Sequence, residues 1–366
     1  MNKNKIMIYT FTLVFATISL MCYLKPDTEF SQGERRVLAQ SPELTTETVF
    51  SGEYAENFET YSADQFPFRD SFRMAKAIFS TKILRKADNN GLYAKEGHIS
   101  KLEYPENEKM TDHALNRFRF IYDSYLKENN TNVYLSLIPD KNYFLAEKYG
   151  YPSIDYEKFI ADFKNEMDFA EYIDIVQYLE IDDYYKTDSH WKQEKITGIA
   201  KSLAEEMGSE EMRIKYQVKK LSVPFYGVYA GQSALPCEPD EIKYLTNDII
   251  ENFIVKYYDT GMPKSGDVYN MEKASGKDPY EMFLSGSTPL VTIENPYADT
   301  DKELIIFRDS FGSSIAPLIA QRYKKTTVVD IRYVQSAFLG NLIDFGGKDV
   351  LFLYSTSMLN NSISFR

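Results

Sequence analysis

Three residues of this chain could together move a proton and form a covalent bond: Asp188, His190 and Ser310. The first two stand in Lys186-Thr-Asp-Ser-His-Trp191, just ahead of a helical pattern. A histidine exchanges protons near neutral pH, and a carboxylate two residues earlier on a turn can face it, fix its tautomer and stabilise its charged form. The plainer alternative is that Asp188 or Ser189 caps the helix that follows. Ser310 stands in Leu304-Ile-Ile-Phe-Arg-Asp-Ser-Phe-Gly-Ser313, an apolar strand, then a turn, then a helix starting near Ser313. Such a turn holds a hydroxyl at the carboxyl edge of a sheet and aims helix N-terminal N–H groups at a developing oxyanion. This is the logic of a nucleophile elbow, though without its G-x-S-x-G pattern. Here too the alternative is a cap, from Asp309, Ser310 or Ser313. Together the segments supply a nucleophile (Ser310), its general base (His190) and the residue that orients the base (Asp188). The other histidines are His98, in a glycine-containing turn, and His113, opening an amphipathic helix; both read as surface or structural.

The whole composition narrows the setting. The 366 residues carry 42 Lys+Arg against 54 Asp+Glu, a net charge of −12, which argues against nucleic-acid binding by basic clusters. With 43% hydrophobic and 26% charged residues the chain is a folding one. Two cysteines, Cys22 and Cys237, exclude a disulfide scaffold and a zinc site built on several thiolates. Neither a metal nor a cofactor is expected. Between Lys5 and Lys25 there is no charge, and Ile6–Leu24 as a helix would span roughly 28 Å, close to the ~30 Å core of a bilayer. Lys3 and Lys5 place residues 1–5 in the cytoplasm. The bulky residues ahead of Tyr23 suit an uncleaved signal anchor over residues 6–24 better than a cleaved signal, and Met21 suits a lipoprotein site at Cys22 poorly. Without residues 1–24 the chain holds 40 basic and 54 acidic residues, a formal −14.

Elements that could position the three residues follow from patterning. Residues 25–85 read as a polar stalk, then two helices: one with Tyr54, Phe58 and Tyr61 on one face, and one over about 71–84 after the break at Pro67. From residue 86 onward the pattern alternates. Helices are expected over His113–Asn129, Tyr156–Met167, Lys192–Met207 (stopped by Gly208) and Ser313–Tyr323; Tyr172–Leu179 reads as a strand or short helix, and residues 212–260 hold short β-like pieces. Strands are expected at Asn132–Ile138, Leu304–Phe307, Thr327–Ile331 and Val350–Tyr354. Alternation of this kind predicts an α/β fold with a mainly parallel sheet flanked by helices.

Thr187-Asp-Ser-His-Trp191 is similar to the D-x-H-W signature of the DHHW proteins, which belong with the SGNH hydrolase-like domains of the alginate O-acetylation proteins AlgX and AlgJ. Further segments resemble that family in order: Phe66-Pro-Phe-Arg-Asp70, Asn90-Gly-Leu-Tyr93, Leu137-Ile-Pro-Asp-Lys141, Phe225-Tyr-Gly227, Arg308-Asp-Ser-Phe311 and Val329-Asp-Ile-Arg-Tyr333. The resemblance covers roughly residues 50–360. It implies an SGNH-type fold over residues 86–366 and a permuted triad of Asp188, His190 and Ser310, with backbone N–H groups of Ser310 and Gly227 as oxyanion donors. It also implies an extracytoplasmic O-acetyltransferase acting on an exopolysaccharide or cell-wall glycan, supplied with acetyl groups by a donor such as a membrane-bound O-acyltransferase. An esterase with the same triad, and a non-catalytic glycan-binding scaffold, are the alternatives. Lys141 and Tyr143, just past a strand end, Trp191, by stacking on a sugar ring, and Arg332 are candidate substrate contacts; each has a packing alternative, and for Arg332 that alternative is pairing with Asp330.

Overall fold

A computed structural model describes residues 3–31, 33–210, 212–259 and 262–366. Met1 and Asn2, part of the expected cytoplasmic segment 1–5, lie outside the described residues. The chain divides into two compact units, residues 1–90 with 230–237, and residues 91–229 with 238–366.

The first unit begins with the helix Lys3–Leu24, apolar and long enough to cross a membrane, with none of its residues buried. Helices Glu53–Asp64 and Arg69–Ile78 follow, the second continued by a wider turn over Phe79–Ile83. The polar run read as a stalk is instead tied to the end of the Glu53–Asp64 helix. Arg36 makes two hydrogen bonds to Asp64, which holds the Asp64 carboxyl down at about 2. Gln65 accepts from the Thr28 N–H (2.9 Å) and donates to Thr28 O and Ala39 O.

The second unit is built on an eight-stranded sheet. In chain order its strands are β1 Asn132–Ile138, β2 Glu171–Tyr172, β3 Ile254–Tyr257, β4 Lys264–Gly266, β5 Leu290–Glu294, β6 Glu303–Arg308, β7 Lys325–Val329 and β8 Asp349–Ser355. Their order across the sheet is β4-β3-β5-β7-β6-β8-β1-β2. From β7 to β2 every pairing is parallel; β5, β3 and β4 add an antiparallel edge.

The sheet is buried on both faces, so its central strands read as unbroken apolar runs. Leu304 and Ile306 of β6 share one face with Leu351 and Leu353 of β8, under helices Thr197–Glu206 and Gly312–Ala320. Ile305 and Phe307 share the other with Val350, Phe352 and Tyr354, under helices Glu108–Ile121 and Tyr156–Glu166. The chain leaves β6 for β7 on one side, then returns to β8 on the other. The carboxyl end of β6 is therefore a topological switch point, where open α/β sheets form their crevices. Ser310 stands there.

Candidate active site

Ser310 lies on the turn between β6 and the Gly312–Ala320 helix. The turn is fixed by Asp309, whose buried carboxylate accepts from the Phe311 N–H (2.9 Å) and from both the N–H (2.8 Å) and hydroxyl (2.6 Å) of Ser355 at the end of β8. Ser310 does not have positive φ, so the turn lacks that backbone strain of an elbow. No side chain caps the helix; the Ser310 hydroxyl instead meets His190 Nε2 at 2.7 Å.

The other nitrogen of His190, Nδ1, lies 2.6 Å from Asp188 Oδ1. A carboxylate can only accept, so this contact assigns the proton to Nδ1 and leaves Nε2 to accept from Ser310. Asp188 is fully buried and also accepts from the N–H groups of His190 (3.1 Å) and Val228 (2.9 Å). Neither Asp188 nor Ser189 caps the next helix, which begins only at Thr197. The expected helix start is displaced because Gln193 is buried, its amide bridging Ser314 O (2.7 Å) and the Leu245 N–H (2.8 Å).

Because residues 185–190 form no regular element, buried side chains hold them. Tyr184 and Trp191 form an isolated antiparallel bridge at the base of the loop. Asp240 accepts from the Lys186 N–H, the Thr187 N–H and the Thr187 hydroxyl at 2.9, 2.7 and 2.6 Å. Lys141 donates to Tyr185 O (3.0 Å) and Lys186 O (3.2 Å) and lies over the Tyr229 ring. Burial pushes the Lys141 ammonium down to about 7, against the pull of the Asp188 and Asp240 carboxylates. Tyr280 stacks face to face on His190, centroids 3.8 Å apart, and its hydroxyl donates to Ser314 Oγ (2.9 Å).

Several expected site residues are thereby reassigned. Lys141 is buried and supports the loop from beneath, so substrate cannot reach it. Trp191 is wholly buried, its indole N–H on Ser314 Oγ (2.9 Å) and Phe311 O (3.2 Å); it locks the histidine loop to the serine helix and offers no face to a sugar. The Gly227 N–H donates to Thr187 Oγ1 (2.8 Å), so it is not an oxyanion donor. Its glycine has another reason: a Cβ there would sit 2.3 Å from Asp188 Cβ. Arg332 pairs twice with buried Asp330 (2.8 and 2.6 Å), the packing alternative. Arg308 turns away from the site to Asp330 (3.1 Å) and Gly286 O, and Gly312 gives its side chain room. Tyr143 is part-exposed, packed edge-on against Phe144 and Tyr156, and does not line the Ser310 cleft. His98 is buried against Glu96 O, and His113 meets Phe365 O. Asp240, Tyr280 and the Val228 N–H carry no motif of their own in the sequence.

Ser310 opens into a cavity of about 180 Å³ shared with Ser189, Tyr229, Asp140, Met358 and Asn361. Asp140 is buried there, where desolvation and the nearby Glu103 raise its carboxyl to about 6. Lys101 and Asn361 also line a larger polar cavity of about 600 Å³ along residues 102–109 and Asn360. The two cavities thus share a wall.

The fold is one already seen. The chain is similar to Bacillus cereus PatB1 in a structure with a sulfonyl adduct, at 21% identity and a TM-score of 0.59 over 73% of this chain and 95% of that one. It is similar to a DHHW family protein from Eubacterium siraeum at 20% identity and a TM-score of 0.56, over 76% of this chain and 95% of that one. No family model matches the sequence, and no curated protein sequence matches it significantly.

Proposed function

We propose that this chain is a membrane-anchored, extracytoplasmic O-acetyltransferase that uses Ser310, His190 and Asp188 to pass an acetyl group to a hydroxyl of an exopolysaccharide or wall glycan. One observation carries the reading: Asp188, His190 and Ser310 form an unbroken hydrogen-bonded chain whose hydroxyl end faces a cavity. The Ser310 oxygen attacks the donor carbonyl as its proton passes to His190 Nε2. Asp188 stabilises the imidazolium that forms. The donor C–O bond breaks, and its leaving group takes the proton from His190. An acceptor hydroxyl then attacks the acetyl-serine, gives its proton to His190, and Ser310 recovers that proton as the ester breaks. The larger polar cavity beside the cleft suits a glycan acceptor, since it offers Asn107, Asn360 and Asn361 with charges of both signs and no excess of cations for a polyanion.

The test gives the purified chain an activated acetyl ester, with and without oligosaccharides. Acetyl groups on sugar in the parent and none with Ser310→Ala are expected. Release to water alone would mark an esterase, and equal activity in both chains would overturn the assignment.

A further inference from the structure

The helix Arg69–Ile78 and its continuation Phe79–Ile83 carry their amphipathic pattern inside out. The side turned into the first unit is polar or small. Arg69 pairs with Glu34, Arg73 with Glu34 at 3.0 Å and with Gly231 O at 2.8 Å, and Ala77 and Ser80 are buried. The side turned outward holds Phe68, Phe72, Met74, Ile78, Phe79 and Ile83, between 39 and 65% exposed. A helix on a water-facing unit has the reverse arrangement, with its apolar stripe inward. The neighbouring residues Lys76, Lys82, Arg85 and Lys86 are exposed and basic.

The unit itself indicates what covers this face. Leu24 ends the apolar helix, and the next residues are fastened to the end of the helix just before this one: Lys25 Nζ reaches Gln65 O (3.2 Å), Thr28 N–H reaches Gln65 Oε1 (2.9 Å), and Tyr61 OH reaches Asp27 (3.1 Å). Phe68 lies three residues past Gln65. If Lys3–Leu24 crosses a bilayer, the aromatic face begins where that helix leaves it. Aromatic and aliphatic side chains flanked by lysine and arginine are the composition of a segment lying at the boundary of headgroups and acyl chains. We infer that the exposed face of residues 68–83 lies in the membrane interface, seating Phe72 and Phe79 among the lipids and placing the basic residues at anionic headgroups. The inference rests on the anchor reading and is independent of the acetyl-transfer reading. It also changes what the polar segment after the anchor does, from a free stalk to a clamp holding the first unit against the bilayer.

Full-length chain in vesicles of phosphatidylcholine with phosphatidylglycerol tests it. Spin labels are placed at Phe72→Cys, Phe79→Cys or Asp70→Cys, each with Cys22→Ser and Cys237→Ser, and a fourth sample is labelled at Cys22 itself in Cys237→Ser. Asp70 lies on the opposite side of the helix, and Phe72 and Phe79 are each more than half exposed, Phe72 keeping one edge contact with Phe66. Collision with a water-soluble nickel chelate at 72 and 79 should fall several-fold below that at 70, with oxygen collision rising, as for a depth of roughly 5–10 Å. Labels at 72 and 79 as water-accessible as at 70, with Cys22 inserted, overturn the inference. Protection that appears only when a membrane-protein partner is added overturns it in favour of a protein surface. Cys22 in water overturns the anchor reading and this one with it.

Discussion

Ser310 stands at the end of a strand buried on both faces and one residue pair before a nine-residue helix that is buried throughout, whereas Asp188 and His190 stand on a loop with no ladder or helix of its own. On the serine side, strand hydrogen bonds and apolar packing carry the position, with the buried Asp309 carboxylate tying the turn to β8, and the same residues hold the fold. On the histidine side, position depends on a few buried polar contacts: Asp240 on residues 186 and 187, Lys141 on the carbonyls of 185 and 186, the Val228 N–H on Asp188, and Tyr280 on the imidazole face. Damage to the first side should therefore appear as lost stability. Damage to the second should appear as lost activity in a folded protein.

Substitutions can break that contrast. The largest effect is expected from His190→Ala, a loss of roughly 10⁴-fold in kcat/KM for acetyl transfer, with a thermal midpoint close to the parent's. Next, Ile306→Ala in β6 should cost about 3 kcal/mol of stability by denaturant titration while the folded fraction keeps its activity; a large activity loss in that fraction would erase the distinction. Gly227→Ala should cut kcat about 10²-fold, since its Cβ must displace Asp188, and far-ultraviolet circular dichroism should stay unchanged. A last effect is one of pH. Lys141 titrates at about 7 in the fold against 10.5 when exposed, so the unfolded chain holds an extra proton between those values. Stability should rise with pH across that window. Lys141→Met should flatten the rise, as read from midpoints measured between pH 6 and 10.

The same contrast explains what was legible in the sequence. Asn132–Ile138 and Leu304–Phe307 announce themselves because strands buried on both faces must be apolar throughout, and Ser310 follows directly from the turn after the second. Asp188 and His190 were visible as a pair, and the D-x-H-W resemblance gave the pair meaning. Their supports were not visible, because Asp240 and Tyr280 act across the fold from an isolated bridge and a single short helical turn, neither long enough to show periodicity. Lys141 and Trp191 looked like substrate contacts because polar and aromatic residues at strand ends and loops suggest exposure; only the packing shows both inside. Residues 262–302 show no clear pattern in the sequence, though they supply β4 and β5; both strands are short, and β5 pairs with β3 and β7, which lie well away from it in sequence.

In the proposed reaction the acetyl group is carried covalently on Ser310. The direct measurement is peptide mass mapping of the chain quenched during its first turnover with an activated acetyl ester. One acetyl group is expected on the peptide holding Ser310, absent from Ser310→Ala and much reduced in His190→Ala. Acetylated sugar formed by a parent chain that never carries the label at Ser310 would contradict it.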